Sequence, residues 1–220
     1  MAEVGPHTNG HMAWIIQAEP NGSCLFISLR LALEAQAVLT KARAKERVTT
    51  ACLDGSAPAL LKSAEELRTM IVQWYSAHLD KSVPLGSPPL KRGDILAIEM
   101  VRHAHDVPEQ GPERDAAIQK YLAAMQRSGT WGSTPEYVAF ALMAKLNVRV
   151  VQPGPRPQGA SAAFGPELKT VDTVSVPGAE YTISLLFDGH SHYDLLVDNP
   201  DELRAVWPAA KLTFRSFGGH

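Results

Sequence analysis

Residues 21–39 read NGSCLFISLRLALEAQAVL, a turn signal followed by a run dominated by apolar residues. Asn, Gly and Ser favour a turn, because they tolerate unusual backbone angles or hydrogen-bond their own backbone. From Cys24 to Leu39 the chain has neither Gly nor Pro and is rich in helix formers. Its few polar residues interrupt an otherwise apolar cylinder, which predicts a helix buried on most sides.

Capping signatures and apolar spacing predict further helices around this one. Ser63 with Glu66, and Ser133 with Glu136, each match the Ser-x-x-Glu capping box. We expect helices from residue 63 onward and over 95–101, 114–126 and 137–146, and strands over 148–151, 181–187, 192–197 and 212–214. Helices first, then strands mixed with helices, indicate an α/β (α+β) domain with a small sheet covered by helices.

The size and composition are those of one soluble globular domain. The chain has 220 residues, of which 45% are hydrophobic and 20% charged, and this excludes a disordered or collagen-like protein. A net charge of −2 gives no electrostatic reason to expect nucleic acid or an acidic membrane as partner. The two cysteines, Cys24 and Cys52, are too few for a disulfide framework or a thiolate-rich zinc site.

The first twelve residues lack the basic-then-apolar pattern of a secretory signal. We therefore expect a flexible leader over residues 1–12 and a single domain over residues 13–220. No uninterrupted apolar run is long enough to predict a transmembrane helix. The default location is the reducing cytoplasm.

Cys24 is the first candidate for chemistry, because it follows the turn and opens the predicted helix. A helix N-terminus stabilises an anion, so a thiolate here is expected to have a pKa below the free value of ~8.5. Backbone N–H groups of the turn would also face an oxyanion. The alternative is a buried structural cysteine. Cys52 lies near a loop without such a setting, and we do not expect it to be catalytic.

A cysteine nucleophile needs a base, and among eight histidines His192 has a suitable partner. Residues two apart in a strand face the same side, so His192 and Asp194 lie together while Tyr193 faces the other way. An aspartate there accepts a hydrogen bond from the imidazole and fixes its tautomer. Alone, a His-x-Asp triplet often arises by chance.

Three motifs that occur in a fixed order are much less frequent by chance than a single His-x-Asp triplet. They are Asn-Gly-Ser-Cys-Leu-Phe at 21–26, Gly-Thr-Trp-Gly at 129–132 followed by Glu136, and His-Tyr-Asp at 192–194. In this combination the sequence resembles the ovarian-tumour (OTU) family of papain-like cysteine proteases, which remove ubiquitin from proteins. The resemblance runs from about Trp14 to Val197, and its middle matches only as helices and loops. It implies a papain-like fold with a small central β-sheet sandwiched between helices.

The resemblance also implies a role for each site residue. Cys24 would be the nucleophile, His192 the general base and then acid, and Asp194 the residue that orients His192. Most members have Asp three residues before the nucleophile, where this chain has Asn21. Asparagine keeps the turn but brings no negative charge, so we expect Asp194 to be the acid. The turn and oxyanion site would comprise Asn21, Gly22 and Ser23.

Trp131 and Gly132 are expected to line a narrow channel that accepts an extended diglycine tail. The alternative for Trp131 is an anchor in the core for the helix behind it. His190 is expected to be an exposed turn residue or a neighbour that faces the substrate. Glu136 is expected to cap its helix, and Tyr193 to pack.

The implied activity is that of a thiol-dependent ubiquitinyl hydrolase, a cysteine peptidase that needs no cofactor and no metal. Its partners would be ubiquitin, polyubiquitin or ubiquitin-like protein conjugates, with no nucleic acid and no membrane, and it would act as a monomer. One alternative is a weak or inactive OTU-like domain that binds ubiquitin without cutting. Another is a metal-dependent hydrolase whose zinc ligands come from two clusters: His103, His105 and Asp106, and His190, His192 and Asp194.

Overall fold

A computed structural model describes residues 12–43, 63–85, 89–102, 110–154 and 168–216. In chain order the elements are β1 (Met12–Ile16), α1 (Cys24–Arg43), α2 (Ala64–Ala77), α3 (Arg92–Arg102), α4 (Pro112–Met125), α5 (Thr134–Ala144), β2 (Asn147–Pro153), β3 (Leu168–Val174), β4 (Thr182–Phe187), β5 (Tyr193–Val197), α6 (Pro200–Val206) and β6 (Leu212–Ser216). None of the described helices is both long enough and apolar enough to cross a membrane.

The strands of the described residues form one mixed sheet in the order β3-β2-β4-β5-β1-β6. β2 and β4 run parallel, and every other neighbouring pair runs antiparallel. β1 lies between β5 and β6, so Trp14 pairs with Val197 on one side and with Phe214 on the other. β5 therefore has a hydrogen-bonded neighbour on both edges, which fixes the position of the residues at its start.

Helix α1 packs against β5 through an apolar surface and one buried hydrogen bond. Leu25, Phe26 and Leu29 are completely buried in the main core. The Ser28 hydroxyl donates to the Tyr193 carbonyl oxygen at 3.0 Å, a buried contact that ties the first turns of α1 to β5. The N-terminus of α1 is thereby held beside the first residues of β5.

The helical layer is organised by the two predicted capping boxes. Glu66 N–H donates to Ser63 Oγ at 3.1 Å, and Ser63 N–H donates to a Glu66 carboxylate oxygen at 3.2 Å, which starts α2. Ser133 N–H donates to Glu136 at 2.7 Å, which starts α5. The buried Tyr75 hydroxyl donates to the Pro135 carbonyl at 2.8 Å and so joins α2 to the beginning of α5.

The α/β class is confirmed, and β2, β4, β5 and β6 fall where strands are predicted. β1, β3 and α6 were not predicted. β3 is a largely exposed edge strand without a clear apolar alternation, and α6 has only seven residues. Met12 belongs to β1, where it pairs with Ser216, so it is wrong to place it in the leader. Residues 1–11, the rest of that leader, lie outside the described residues.

A second, smaller buried cluster lies apart from the main core. It contains Ile15, Val151 and Leu186, one residue each from β1, β2 and β4. Along β1, Ile15 belongs to this cluster while Ile16 belongs to the main core, so the two clusters use opposite faces of the sheet. Enclosure of the sheet by helices on both faces stays a prediction.

Candidate active site

The turn before α1 uses its own polar atoms to present Cys24 at the helix start. Asn21 Oδ1 accepts the Ser23 N–H at 2.9 Å, and the Asn21 carbonyl accepts the Cys24 N–H at 3.0 Å. Gly22 is packed so closely that a Cβ there would lie 1.6 Å from the Gly129 carbonyl oxygen. The sequence prediction of an Asn-stabilised turn agrees with this geometry.

His192 is bonded to Asp194, as the spacing of two along a strand predicts. His192 Nε2 lies 2.9 Å from Asp194 Oδ1, which also accepts the Ala18 N–H at 2.9 Å. Asp194 is 1% exposed. Where the Asp194 carboxylate accepts this hydrogen bond, Nε2 is the donor, and in that neutral tautomer Nδ1 is the acceptor. Within the described residues Nδ1 is buried and has no hydrogen-bond partner.

Asp188 arranges the turn that carries His192. One oxygen of its carboxylate accepts three backbone N–H groups, from His190 at 2.8 Å and from Ser191 and His192 at 2.9 Å. Burial works against the charge, but these N–H donors outweigh it and lower the pKa of Asp188. This role of Asp188 was not predicted from the sequence.

The Cys24 thiol contacts the backbone of Ser191 and Tyr193, the two residues that flank His192, and makes no hydrogen bond to the imidazole ring in the described part of the chain. Cys24 Sγ donates to the Ser191 carbonyl oxygen at 3.5 Å, and the N–H groups of Tyr193 and Leu25 point at the sulfur. Among the described residues no hydrogen bond joins Sγ to the His192 ring. The catalytic residues predicted from the sequence are therefore neighbours, with the thiol held by the turn.

The expected lowering of the Cys24 pKa is wrong for this state of the molecule. Cys24 is 1% exposed, and this burial raises the pKa of the thiol. The N–H groups of Tyr193 and Leu25 lower it, as a helix start should, but by less. The charges of Asp194 and Asp188 raise it further. The helix N-terminus therefore lowers the pKa of Cys24, as expected, but desolvation of the buried thiol raises it by more.

The loop before α5 lies against the first turn of α1. A Cβ on Gly132 would come within 2.8 Å of Leu25 and 3.0 Å of Phe26, so this backbone passes directly over the helix that starts at Cys24. Trp131 is 47% exposed, so the alternative that it anchors the core is wrong. Gly132 takes the packed position, which leaves the indole at the surface. His190 is also exposed.

Glu136 and Tyr193 take the places expected of them. Glu136 caps α5 and also accepts the Tyr121 hydroxyl at 2.9 Å. Complete burial raises the pKa of Glu136 to about 7, although the Ser133 N–H and the Tyr121 hydroxyl act in the opposite direction. Tyr193 is buried and stacks on Phe187 with ring centroids 4.7 Å apart.

The described residues contain no group of three or more His, Cys, Asp or Glu side chains that could hold a metal ion. Of the predicted zinc ligands, His190 is exposed in the turn and His192 is bonded to Asp194. Cys52 and one proposed zinc cluster lie outside the described residues: His103, His105 and Asp106.

No protein-family model and no curated protein matches the sequence. Several solved structures are similar in fold. An OTU deubiquitinase from Wolbachia pipientis wMel has 18% identity and a TM-score of 0.45, over 88% of this chain and 96% of that one. The viral OTU domain protease from Farallon virus has 12% identity and a TM-score of 0.47, over 86% of each chain. The Hazara virus OTU bound to ubiquitin has 14% identity and a TM-score of 0.43, over 85% of this chain and 81% of that one. All three carry the name of the family that the motifs at Cys24 and His192 resemble.

Proposed function

We propose that this protein is a cysteine peptidase that cleaves the bond after the C-terminal glycine of ubiquitin or of a ubiquitin-like modifier. One observation carries the proposal. His192 is bonded through Nε2 to a buried carboxylate, and its Nδ1 is buried and unpartnered in a turn whose backbone contacts Cys24 Sγ. This is the arrangement that a thiol nucleophile needs from its base and from the group that orients the base.

In the proposed reaction the Cys24 S–H first leaves the Ser191 carbonyl and gives its proton to His192 Nδ1. The thiolate attacks the carbonyl carbon of the terminal glycine and forms a tetrahedral oxyanion. The C–N bond then breaks, and His192 gives the proton to the leaving amine, so that a thioester remains. His192 next takes a proton from water, which attacks the thioester and releases the modifier with a free carboxylate and Cys24 as a thiol. Asp194 holds Nε2–H throughout and stabilises the imidazolium.

The oxyanion site is expected beside the Asn21 turn. The N–H groups of Ser23 and Cys24 already donate to Asn21, whereas the Gly22 N–H donates to no acceptor in the described part of the chain. We therefore propose Gly22 N–H as the backbone donor for the oxyanion. Asn21 then acts by shaping the turn, and Ser23 by the contacts of its hydroxyl group.

The substrate class rests on the motif resemblance. Trp131 and Gly132 are proposed to line one side of the channel and His190 the other. Gly132 packs directly on Leu25 and Phe26 of α1, which holds the backbone of this loop beside the helix that starts at Cys24. Action as a monomer in the reducing cytoplasm belongs to the same proposal, since the thiol must stay reduced to react.

A panel of diubiquitins of defined linkage, together with ubiquitin-like fusions, tests the activity. The parent chain and Cys52→Ala should cleave at least one substrate, and Cys24→Ala should cleave none. Cleavage by Cys24→Ala would contradict the assignment of the nucleophile.

A second function, ubiquitin binding without cleavage, is favoured by one observation. Cys24 Sγ is engaged with Ser191 and burial raises the pKa of its thiol, so the described state is not primed for attack. In that case the parent chain and Cys24→Ala would bind ubiquitin equally and neither would cut.

A further inference from the structure

Arg68 of α2 is a buried charge with every donor satisfied. Its side chain is 1% exposed. An arginine carries five N–H groups, and each has an oxygen acceptor here. Nε donates to Glu65 at 3.1 Å. Nη1 donates to the carbonyls of Met125 at 3.1 Å and Thr130 at 2.9 Å. Nη2 donates to the Gly22 carbonyl at 3.2 Å and to Ser23 Oγ at 3.0 Å.

Apart from Glu65, which lies on α2 itself, these acceptors belong to two separate segments that meet at the active site. Gly22 and Ser23 form the turn that presents Cys24. Thr130 lies in the loop that leads from α4 to Trp131 and Gly132. The guanidinium also stacks on the Phe26 ring at 4.0 Å, and a Cβ on Gly132 would lie 3.0 Å from Cε2 of the same ring. One planar group therefore bonds both the turn that presents Cys24 and the loop that leads to Trp131 and Gly132.

We propose that Arg68 is a positioning residue of the active site: it sets the spacing between the turn that carries Cys24 and the loop that leads to Trp131 and Gly132. The structural part stands on the hydrogen bonds alone, and its catalytic consequence rests on the proposed function. Lysine cannot replace it, because an ammonium has only three donors and no plane to stack on Phe26. Burial lowers the pKa of the Arg68 guanidinium, and the charge of Glu65, which also accepts from Nε, is the largest opposing effect.

Arg92 of α3 provides a matched control for the loss of a buried arginine. It is 6% exposed, stacks on Trp74 at 3.6 Å and bonds the Trp74 carbonyl. Trp74 lies six residues beyond Arg68 on α2, which is about 9 Å along the helix axis. Arg92→Lys thus removes the same kind of contact from the same helical layer without touching the Gly22 or Thr130 carbonyl.

The test compares Arg68→Lys and Arg92→Lys in a Cys52→Ser background, so that Cys24 is the single thiol. Two measurements are made well below each melting temperature: kcat and KM on a ubiquitin substrate, and the rate of Cys24 alkylation by iodoacetamide. In Arg68→Lys we expect kcat to fall roughly 10- to 100-fold with KM nearly unchanged, because a misplaced nucleophile costs rate. Alkylation should become several-fold faster, because loosening the turn uncovers a buried thiol while the positive charge is kept. Arg92→Lys should change neither quantity more than twofold.

Equal effects of the two substitutions on both measurements would overturn the proposal and leave Arg68 with a role in stability only. If Arg68→Lys does not fold, Ser23→Ala replaces it. This change removes one acceptor from Nη2 and should lower kcat and speed alkylation to a smaller extent; no change in either would overturn the proposal. If the parent chain cleaves no ubiquitin substrate, the proposed function fails, and the alkylation rates alone decide whether Arg68 holds the Cys24 turn.

Discussion

Asp194 contacts His192, whereas the polar atoms of Asn21 stay within its own turn and on Glu19. The strand period of two was enough to predict the first contact, because it depends on local geometry alone. The role of Asn21 followed from its chemistry: it bonds its own backbone and has no charge to offer. At this scale the sequence was informative because both contacts span at most three residues.

Substitution of Asp194 and of Asn21 tests which of the two residues orients His192 and which only shapes the turn. Asp194→Asn should lower kcat roughly 10²- to 10⁴-fold, because the imidazolium loses its carboxylate and the tautomer is no longer fixed. Asn21→Asp should change kcat only a few-fold, because the new side chain still offers an oxygen to the Ser23 N–H. Steady-state kinetics on a ubiquitin substrate give both values. The reverse order of losses would place the orienting group at Asn21.

Gly22 has no room for a side chain. In Gly22→Ala the new Cβ would lie 1.6 Å from the Gly129 carbonyl oxygen, so the backbone must move. We expect the free energy of unfolding to fall by about 1–3 kcal/mol or more, by overpacking. Urea denaturation measures this. Gly93→Ala in α3 is the control, since its new Cβ would lie 3.3 Å from its nearest neighbour. A loss in Gly22→Ala no larger than that in Gly93→Ala would contradict the close contact between Gly22 and Gly129.

At the scale of elements, the turn between β4 and β5 shows where the sequence becomes insufficient. An Asp-Gly pair at residues 188–189, between two predicted strands, is typical of a hairpin turn, and Gly189 adopts a positive φ of 91°. The contact of the Ser191 carbonyl with Cys24 joins residues far apart in the chain, so no local pattern announces it. The burial that raises the pKa of Cys24 also comes from contacts between residues far apart in the chain. The position of Cys24 at a helix start was therefore not enough to predict the direction of the pKa shift.

The start of α5 predicts a pH-dependent stability. Burial raises the pKa of Glu136 from 4.5 to about 7, so the folded state binds more protons than the unfolded state between these pH values. The free energy of unfolding must therefore fall as pH rises through this window, by about 3 kcal/mol if the whole shift is expressed. Glu136→Gln removes this dependence, since its amide can still accept the Ser133 N–H and donate to Tyr121.

Urea denaturation of the parent chain and Glu136→Gln across this pH range measures the effect. The stability of the variant relative to the parent should increase with pH. Glu113→Gln is the matched control, because Glu113 lies in the first turn of α4 but is exposed, and its difference from the parent should stay flat. A flat difference for Glu136→Gln as well would contradict the raised pKa.

At the scale of the whole molecule, the class of fold was predictable and the sheet order was not. Capping boxes and apolar runs are local signals, and they located α2, α5 and most strands. The insertion of β1 between β5 and β6 depends on pairing between the two ends of the described chain, which no short pattern encodes. The sequence gives a weak indication that Arg68 is buried, because it lies among Leu67, Ile71 and Val72 on the buried side of α2. Its acceptors could not be inferred, since they come from two distant segments.

The proposed function requires the assembled molecule to present Cys24 as a nucleophile to the C-terminus of ubiquitin. The most direct measurement uses ubiquitin whose terminal carboxylate is replaced by an electrophile, followed by the intact mass and peptide mapping of the product. We expect one covalent adduct on Cys24 in the parent chain and in Cys52→Ala, and none in Cys24→Ala. An adduct that persists in Cys24→Ala and is lost in Cys52→Ala, or a folded parent chain that forms no adduct, would contradict it.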